Sequence, residues 1–237
     1  MYSRLTTHYS LNFMTKRLTK LKTFVDTERL YPIDEAIELV KKTGKKKFDE
    51  TIELHARLGI DPKKGDQQVR GTVVLPHSFG KNKIVAAFVP QDQEKEAKEA
   101  GADMVYTEDN IKEFQASGKI NFDIAVSVPK MMKNLAPLAK TLGPKGLMPS
   151  PKNETIAQDL KKTIGELKKG KIAFKNDDSA NIHQGLGKVS TDDKALLENY
   201  ETFIKALTDS KPEASKGVFL KNVSICSTMG PGVKVEM

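Results

Sequence analysis

The sequence predicts two domains of different class. One is a discontinuous α+β domain formed by both ends of the chain, residues 1–78 and 171–237; the other is an inserted α/β domain with a Rossmann-like layout, residues 79–170. Strand-like segments near both ends alternate apolar and polar residues with a period of two, as half-buried strands do. Between them, short apolar runs alternate with helical patterns, which is typical of a parallel sheet covered on both faces.

The N-terminal part contributes one helix and two strands. Pro32 opens a helix whose apolar residues fall on one face, and the helical pattern ends at Gly44. Residues 51–60 then alternate without a break, and residues 69–75 form a second strand. The first of these strands therefore has one buried face and one polar face.

The inserted part alternates strand and helix. Strands are predicted at 83–89, 104–106 and 122–128, and helices at 94–100, 108–116, 130–141 and 154–169. Glycines follow three of the helices and end them. This order predicts the small parallel sheet of the inserted domain.

After Gly170 the pattern returns to that of the N-terminal part. Two antiparallel strands joined by a turn, an amphipathic helix and a last strand are predicted at 171–175, 180–189, 192–208 and 217–225. In the last strand the alternation breaks between Leu220 and Val223, which predicts a bulge or a twist. The strand is followed by Ser227-Thr228-Met229-Gly230-Pro231. This turn carries hydroxyls and a thioether, and its glycine permits close approach to the backbone. This turn either closes the sheet or meets a partner.

Composition narrows the function classes. The net charge of +8 and the pI near 9.3 suit an anionic partner, although the charge is spread almost evenly over the two predicted domains. A lone cysteine, Cys226, fits a reducing compartment, and the four histidines show no metal-ligand spacing. No apolar run approaches the length of a membrane span. We therefore expect no metal, no cofactor and no membrane partner.

Several stretches, in collinear order from about residue 34 onward, resemble one family. They are Lys47-Phe48-Asp49-Glu50-Thr51 with the alternating strand that follows, the glycine- and proline-rich run 142–152, the run 182–188, and the turn 227–231. Together they resemble the ribosomal protein L1 family, in its bacterial or organellar type. Members of that family form the mobile stalk of the large ribosomal subunit.

The resemblance implies which residues contact RNA and where the domains move. In the family the split domain binds ribosomal RNA. The positions here that correspond to its RNA-contacting residues are Lys47, Phe48, Thr51, Lys188, Asn222, Thr228, Met229 and Gly230. Asn222 stands where many members carry serine. The family's hinges correspond to Ser78-Phe79 and Gly170-Lys171.

The resemblance also implies partners and location. It implies a structural protein of the large ribosomal subunit that binds its ribosomal RNA, assists release of deacylated transfer RNA from the exit site, and represses its own operon messenger RNA. A protein of this kind is a monomer when free and works in the cytoplasm. Residues 1–25 are basic and contain no acid, which favours a flexible arm; a cleaved presequence and an organellar matrix location are the alternative.

Two alternatives stay open at this point. The inserted Rossmann-like domain could serve an enzyme that uses a nucleotide or a nucleotide-derived cofactor, but no glycine-rich fingerprint follows its first strand, where Val89-Pro90-Gln91 stands instead. The run Gly185-Leu186-Gly187-Lys188 resembles a phosphate cradle, yet it lacks the spacing of a P-loop. It predicts either a tight hairpin with a structural lysine or an RNA backbone contact by Lys188.

Overall fold

A computed structural model describes residues 18, 20–21, 23–26, 28–44, 48–80, 83–108, 110–111, 120–157 and 159–237. Lys47, most of the predicted N-terminal arm and most of the predicted helix 108–116 lie outside these residues. Within them, no helix is long and apolar enough to cross a membrane.

The chain forms two compact units, residues 1–68 with 176–237, and residues 69–175. The first is discontinuous and the second is inserted into it, and both contain the helices and strands of a mixed α/β chain. The predicted fold class is therefore confirmed. The predicted boundaries at 78/79 and 170/171 fall within the second unit, and the division into functional domains at those positions stays a prediction.

The first unit contains a four-stranded antiparallel sheet. Its elements are α1 (Ile33–Thr43), β1 (Thr51–Leu58), β7 (Asn181–Lys188), α6 (Asp193–Asp209), β8 (Leu220–Ser227) and β9 (Val233–Val235), with strand order β7-β1-β8-β9. Apolar residues of α1 and α6 pack on one face of this sheet, against Leu54, Val223 and Ile225, which are buried. The opposite face is formed by the polar residues of the alternating strands.

The second unit contains a parallel sheet of order β4-β3-β5 and a two-stranded antiparallel pair. Its elements are β2 (Arg70–Val74), β3 (Val85–Phe88), α2 (Glu94–Glu99), β4 (Met104–Tyr106), β5 (Ile124–Ser127), α3 (Met132–Leu135), α4 (Ala139–Leu142), α5 (Leu160–Lys168) and β6 (Lys171–Lys175). One hydrophobic cluster joins the sheet to α2 and α5, and another joins its other face to α3 and α4. This is the predicted Rossmann-like arrangement.

Three predicted elements differ from the structure. The helix expected at 130–141 is a series of short α and 3-10 turns, because Pro137 has no N–H to donate within it. The helix expected from residue 154 begins at Leu160, where the Asp159 side chain accepts the Lys162 N–H and caps it. The segments 171–175 and 180–189 do not pair with each other: β6 pairs with β2 and β7 pairs with β1.

The bulge predicted in the last strand is confirmed. Arg57 stands opposite Asn222 and Leu58 opposite Leu220, so Lys221 is the extra residue of β8. The short strand β9 was not predicted.

Candidate nucleic-acid interface

One end of the antiparallel sheet brings together three distant segments of the chain. Thr51 begins β1, Lys188 ends β7 directly opposite it, and Thr228 follows the last residue of β8. These three residues, which we call the Thr51 row, lie on the polar face of the sheet. The row lies at the strand ends, where the backbone leaves the ladder and can be approached.

Hydrogen bonds fix the Thr51 row. The Lys188 Nζ donates to Thr51 Oγ1 at 2.8 Å and lies 3.5 Å from the Asp49 carbonyl oxygen. The Thr51 N–H donates to Thr228 Oγ1 at 3.0 Å, and the Thr228 hydroxyl in turn donates to the Thr51 carbonyl at 3.2 Å. The Thr228 N–H donates to the same carbonyl at 3.0 Å. The side chain of Thr228 therefore extends the β1–β8 ladder beyond its last backbone pair.

The turn after β8 is held by a buried carboxylate that sequence reasoning missed. Glu50 is fully buried, and its Oε2 accepts the Met229 N–H at 3.2 Å. The turn itself closes when the Gly230 N–H donates to the Ser227 carbonyl at 2.9 Å. Glu50 was part of a recognised stretch, but nothing in a sequence links it to a backbone group 179 residues away.

Gly230 occupies a position with no room for a side chain. A Cβ added there would lie 2.5 Å from the Ser227 Oγ and 3.4 Å from the Thr43 Oγ1. The Ser227 hydroxyl is buried and has no hydrogen-bond partner among the described residues. The glycine is therefore required by packing at the base of the turn, as well as being suited to close approach by a ligand.

Two large apolar side chains are exposed near this end of the sheet, Met229 in the turn itself and Phe48 in the segment before β1. Phe48 and Met229 are each 49% exposed. Phe48 lies two residues before Glu50 in the chain, and the Met229 N–H donates to the Glu50 carboxylate. Exposed apolar surface next to hydroxyls and an ammonium group suits the stacking of an unpaired base.

Asp49 fixes the neighbouring edge of the site. Its carboxylate accepts the Ser190 N–H at 3.1 Å and the Ser190 hydroxyl at 2.7 Å. This ties the segment before β1 to the turn that follows β7. Asp49 is thus a second positioning residue that the sequence pattern did not single out.

A bulge, and not a hairpin, explains the Gly185-Leu186-Gly187-Lys188 run. Glu53 stands opposite Gly185 and Ile52 opposite Gly187, so Leu186 is an extra residue in β7 and is buried. The prediction of a tight hairpin is wrong. Because residues of a strand alternate between faces, the extra residue turns Lys188 to the face that carries Thr51.

Asn222 does not join the other predicted RNA-binding residues. It is exposed on β8 opposite Arg57, at the far end of the sheet from Thr228. Six residues of strand separate the two, which is about 20 Å at a rise of roughly 3.3 Å per residue. The structure therefore assembles Phe48, Thr51, Lys188, Thr228, Met229 and Gly230, leaves Asn222 apart, and does not describe Lys47.

The four predicted hinge residues lie in the second unit, where two of them have defined surroundings. Gly170 has a φ of +99°, and a Cβ added to it would lie 3.0 Å from the Ser78 Cβ. The Lys171 side chain is 7% exposed; it forms ion pairs with Glu154 and, at 2.8 Å, with Glu166. Burial alone would lower the pKa of Lys171, but the two carboxylates outweigh it and raise that pKa. The hinge role of these residues stays a prediction.

The described part of the chain contains no group of three or more histidine, cysteine, aspartate or glutamate residues placed to hold a metal ion. The chemistry available at the Thr51 row is instead hydrogen bonding, stacking and one ammonium charge.

The hydroxyl of Thr228 gives a prediction about stability. We expect Thr228→Val to cost about 0.5–1.5 kcal/mol of unfolding free energy, because the Thr51 N–H loses its acceptor and the Thr51 carbonyl loses one donor. Amide hydrogen exchange at Thr51 should accelerate. Denaturant unfolding and exchange measured by NMR test this, with Thr228→Ser as the control that keeps both bonds. Unchanged exchange at Thr51 in Thr228→Val would show that the hydroxyl does not support the ladder.

A comparison with protein-family models identifies one match. The model of the Ribosomal protein L1p/L10e family matches residues 40–231. The matched region contains Glu50, the Thr51 row and the turn through Gly230.

Proposed function

The chain belongs to the ribosomal protein L1p/L10e family, and on this premise we propose that the Thr51 row and its turn are the site that binds the RNA of the ribosomal stalk. Membership makes the protein a constituent of the large ribosomal subunit that binds its ribosomal RNA. The family is structural and non-enzymatic, so the prediction that the chain is not an enzyme is confirmed and the cofactor-using alternative is excluded.

The observation that carries the proposal is the convergence of six of the predicted contact residues. They come from three segments that are far apart in the chain, yet they meet at one end of one sheet. The buried side chain of Glu50 and the carboxylate of Asp49 hold the backbone around them. A site built on strand ends and fixed by buried contacts keeps its geometry without a ligand.

Each side chain has a role that suits folded RNA. Phe48 and Met229 offer apolar surface to an unstacked base or to a ribose. The hydroxyls of Thr51 and Thr228 can form hydrogen bonds with a ribose 2′-hydroxyl. Lys188 supplies a positive charge for a phosphate. Its present bond to Thr51 Oγ1 holds the ammonium group at the surface of the sheet.

The finer functions are part of the same proposal and rest on the resemblance to bacterial or organellar members. We propose that the stalk assists release of deacylated transfer RNA from the exit site and that the same RNA site represses the protein's own messenger RNA. On this proposal the protein is monomeric when free, acts in the cytoplasm, has domains divided at 78/79 and 170/171, and hinges at Ser78, Phe79, Gly170 and Lys171.

The salt dependence of RNA binding tests the site. We expect Lys188→Ala to reduce the slope of log affinity against log salt concentration by about 0.7 to 0.9 for a stalk-RNA fragment, because one phosphate contact fewer is made. Filter binding at a series of salt concentrations measures the slope. A messenger fragment from the protein's own operon should show the same change if it uses the same site.

Lys205→Ala is the matched control, because Lys205 is exposed on α6, the helix that packs on the opposite face of the sheet. Its slope should equal that of the unmodified protein. An unchanged slope for Lys188→Ala would remove Lys188 from the contact. A protein that binds stalk RNA no better than an unrelated RNA of equal length would contradict the proposed function itself.

A further inference from the structure

The polar face of the sheet carries a line of titratable side chains that the proposed RNA contact does not use. Cys226 of β8, His55 of β1 and His183 of β7 lie across three neighbouring strands, and Asp177 lies in the turn before β7. His55 Nε2 is 3.1 Å from the Cys226 Sγ, and His55 Nδ1 is 2.7 Å from His183 Nδ1. His183 Nε2 is 3.5 Å from the Asp177 Oδ2. Each imidazole therefore meets a different neighbour through each of its two nitrogens.

The two ends of this line differ in what they can donate and accept, so the hydrogen bonds along it run in one direction. Asp177 is a carboxylate at neutral pH, because the Asn181 N–H and then the Ser179 N–H bond to it and lower its pKa. Burial raises the pKa of the Cys226 thiol to about 11, so the thiol keeps its proton. One end can therefore only accept a hydrogen bond, while the other end carries a proton to donate.

One arrangement satisfies every group with a single proton on each imidazole. The Cys226 S–H donates to His55 Nε2, the His55 Nδ1–H donates to His183 Nδ1, and the His183 Nε2–H points to the Asp177 carboxylate. We propose that these four side chains form a directed hydrogen-bond relay in which only one of the two facing Nδ1 atoms carries a proton.

The short contact between the two rings admits only one proton. A second proton would put an N–H on both Nδ1 atoms, which are 2.7 Å apart, and the contact would have to break.

The surroundings of His55 favour its neutral form. Burial is the largest cause that lowers the pKa of His55, and the neighbouring His183 is the second. Glu53 acts in the opposite direction and raises that pKa. The charged and titratable groups around His55 on the polar face are Glu53 and Arg57 on β1, His183 on β7, Cys226 on β8 and Lys234 on β9.

A histidine whose pKa is lower in the folded state binds fewer protons there than in the unfolded chain. Its contribution to stability is therefore complete above the unfolded value near 6.5 and declines as the pH falls below it.

The relay is formed by contacts within the sheet and does not depend on the assignment of RNA as the ligand.

The tautomers of the two histidines test the relay in the full chain. Nitrogen-15 NMR of the neutral protein should find His55 protonated at Nδ1 and His183 at Nε2. Free imidazole in water favours the Nε2–H form, so the Nδ1–H form at His55 is diagnostic. Cys226→Ser keeps a donor and should keep this tautomer, whereas Cys226→Ala should release it. An Nε2–H tautomer at His55 in the unmodified protein would overturn the relay, and this measurement requires no substitution.

A titration followed by the same method tests the exclusion of a second proton. His183→Gln should move the midpoint of His55 upward toward its ordinary value, because a neighbouring charge is removed. His77→Gln, outside the relay, should leave the midpoint of His55 unchanged. A His55 midpoint that is identical in His183→Gln and in the unmodified protein would show that the two rings titrate independently.

Discussion

Replacing Gly230 by alanine should weaken stalk-RNA binding at least tenfold and should cost about 1–3 kcal/mol of unfolding free energy. The added Cβ would lie 2.5 Å from the Ser227 Oγ, so the Ser227 hydroxyl must rotate or the turn must move, and overpacking of this kind typically costs that amount. Thr228 and Met229 precede Gly230, so a shift of the turn displaces Thr228 from the Thr51 row and Met229 from its hydrogen bond to Glu50. Isothermal titration with a stalk-RNA fragment and denaturant unfolding measure the two effects.

Two further variants isolate the cause. Gly232→Ala changes a glycine of the same turn region that has nothing within 4 Å of an added Cβ, and its stability should stay within about 0.5 kcal/mol. Ser227→Ala removes the obstructing hydroxyl, so the double variant Ser227→Ala with Gly230→Ala should recover most of the stability and affinity. Gly230→Ala with normal affinity and normal stability would show that the turn adapts without loss.

Replacing Phe48 by alanine should weaken stalk-RNA binding by about 1–3 kcal/mol, or roughly five- to 150-fold, with little change in stability. That range is typical for removing one aromatic ring that stacks on a base. Stability should hold because the ring is 49% exposed and the backbone around it is fixed by Asp49 and Glu50. Fluorescence anisotropy with a labelled stalk-RNA fragment measures the affinity.

Phe24→Ala is the matched control, because Phe24 is an exposed phenylalanine of the same unit that the site does not include. Its affinity should be unchanged. Phe48→Leu separates stacking from apolar contact, since it keeps apolar volume without a ring and should bind between Phe48→Ala and the unmodified protein. Equal affinity of Phe48→Ala and Phe24→Ala would mean that Phe48 does not touch the RNA.

The elements predicted best are those whose limits are set by local chemistry. Pro32 and Gly44 enclose α1 as expected, and β4 has the predicted limits. The alternation of β1 predicted its buried and polar faces, and the irregular spacing in the last strand predicted the bulge at Lys221. Each of these signals lies within a few residues of the feature that it determines.

The features that were missed depend on distant partners. The segments 171–175 and 180–189 suggested a hairpin, but β6 and β7 each find a better partner elsewhere in the chain. The bulge at Leu186 was also missed, because only the pairing with β1 reveals that one residue of β7 is extra. Six residues of the proposed site were named through family resemblance, but the supporting carboxylates of Asp49 and Glu50 were not predicted.

The central position of β1 in the sheet determines when the site forms during folding. Thr51 bonds to residues 137 and 177 positions away, so the row cannot form before both neighbouring strands have paired with β1. Closing such long loops is slow and costs entropy before any contact is gained. On the proposed assignment, a chain that has not finished folding lacks this site, and specific RNA binding is confined to the native state. By mass action, RNA at 100 times its dissociation constant would add about 2.7 kcal/mol to the stability of the folded unit. Assembly into the ribosome thus selects the folded chain and at the same time protects it against unfolding.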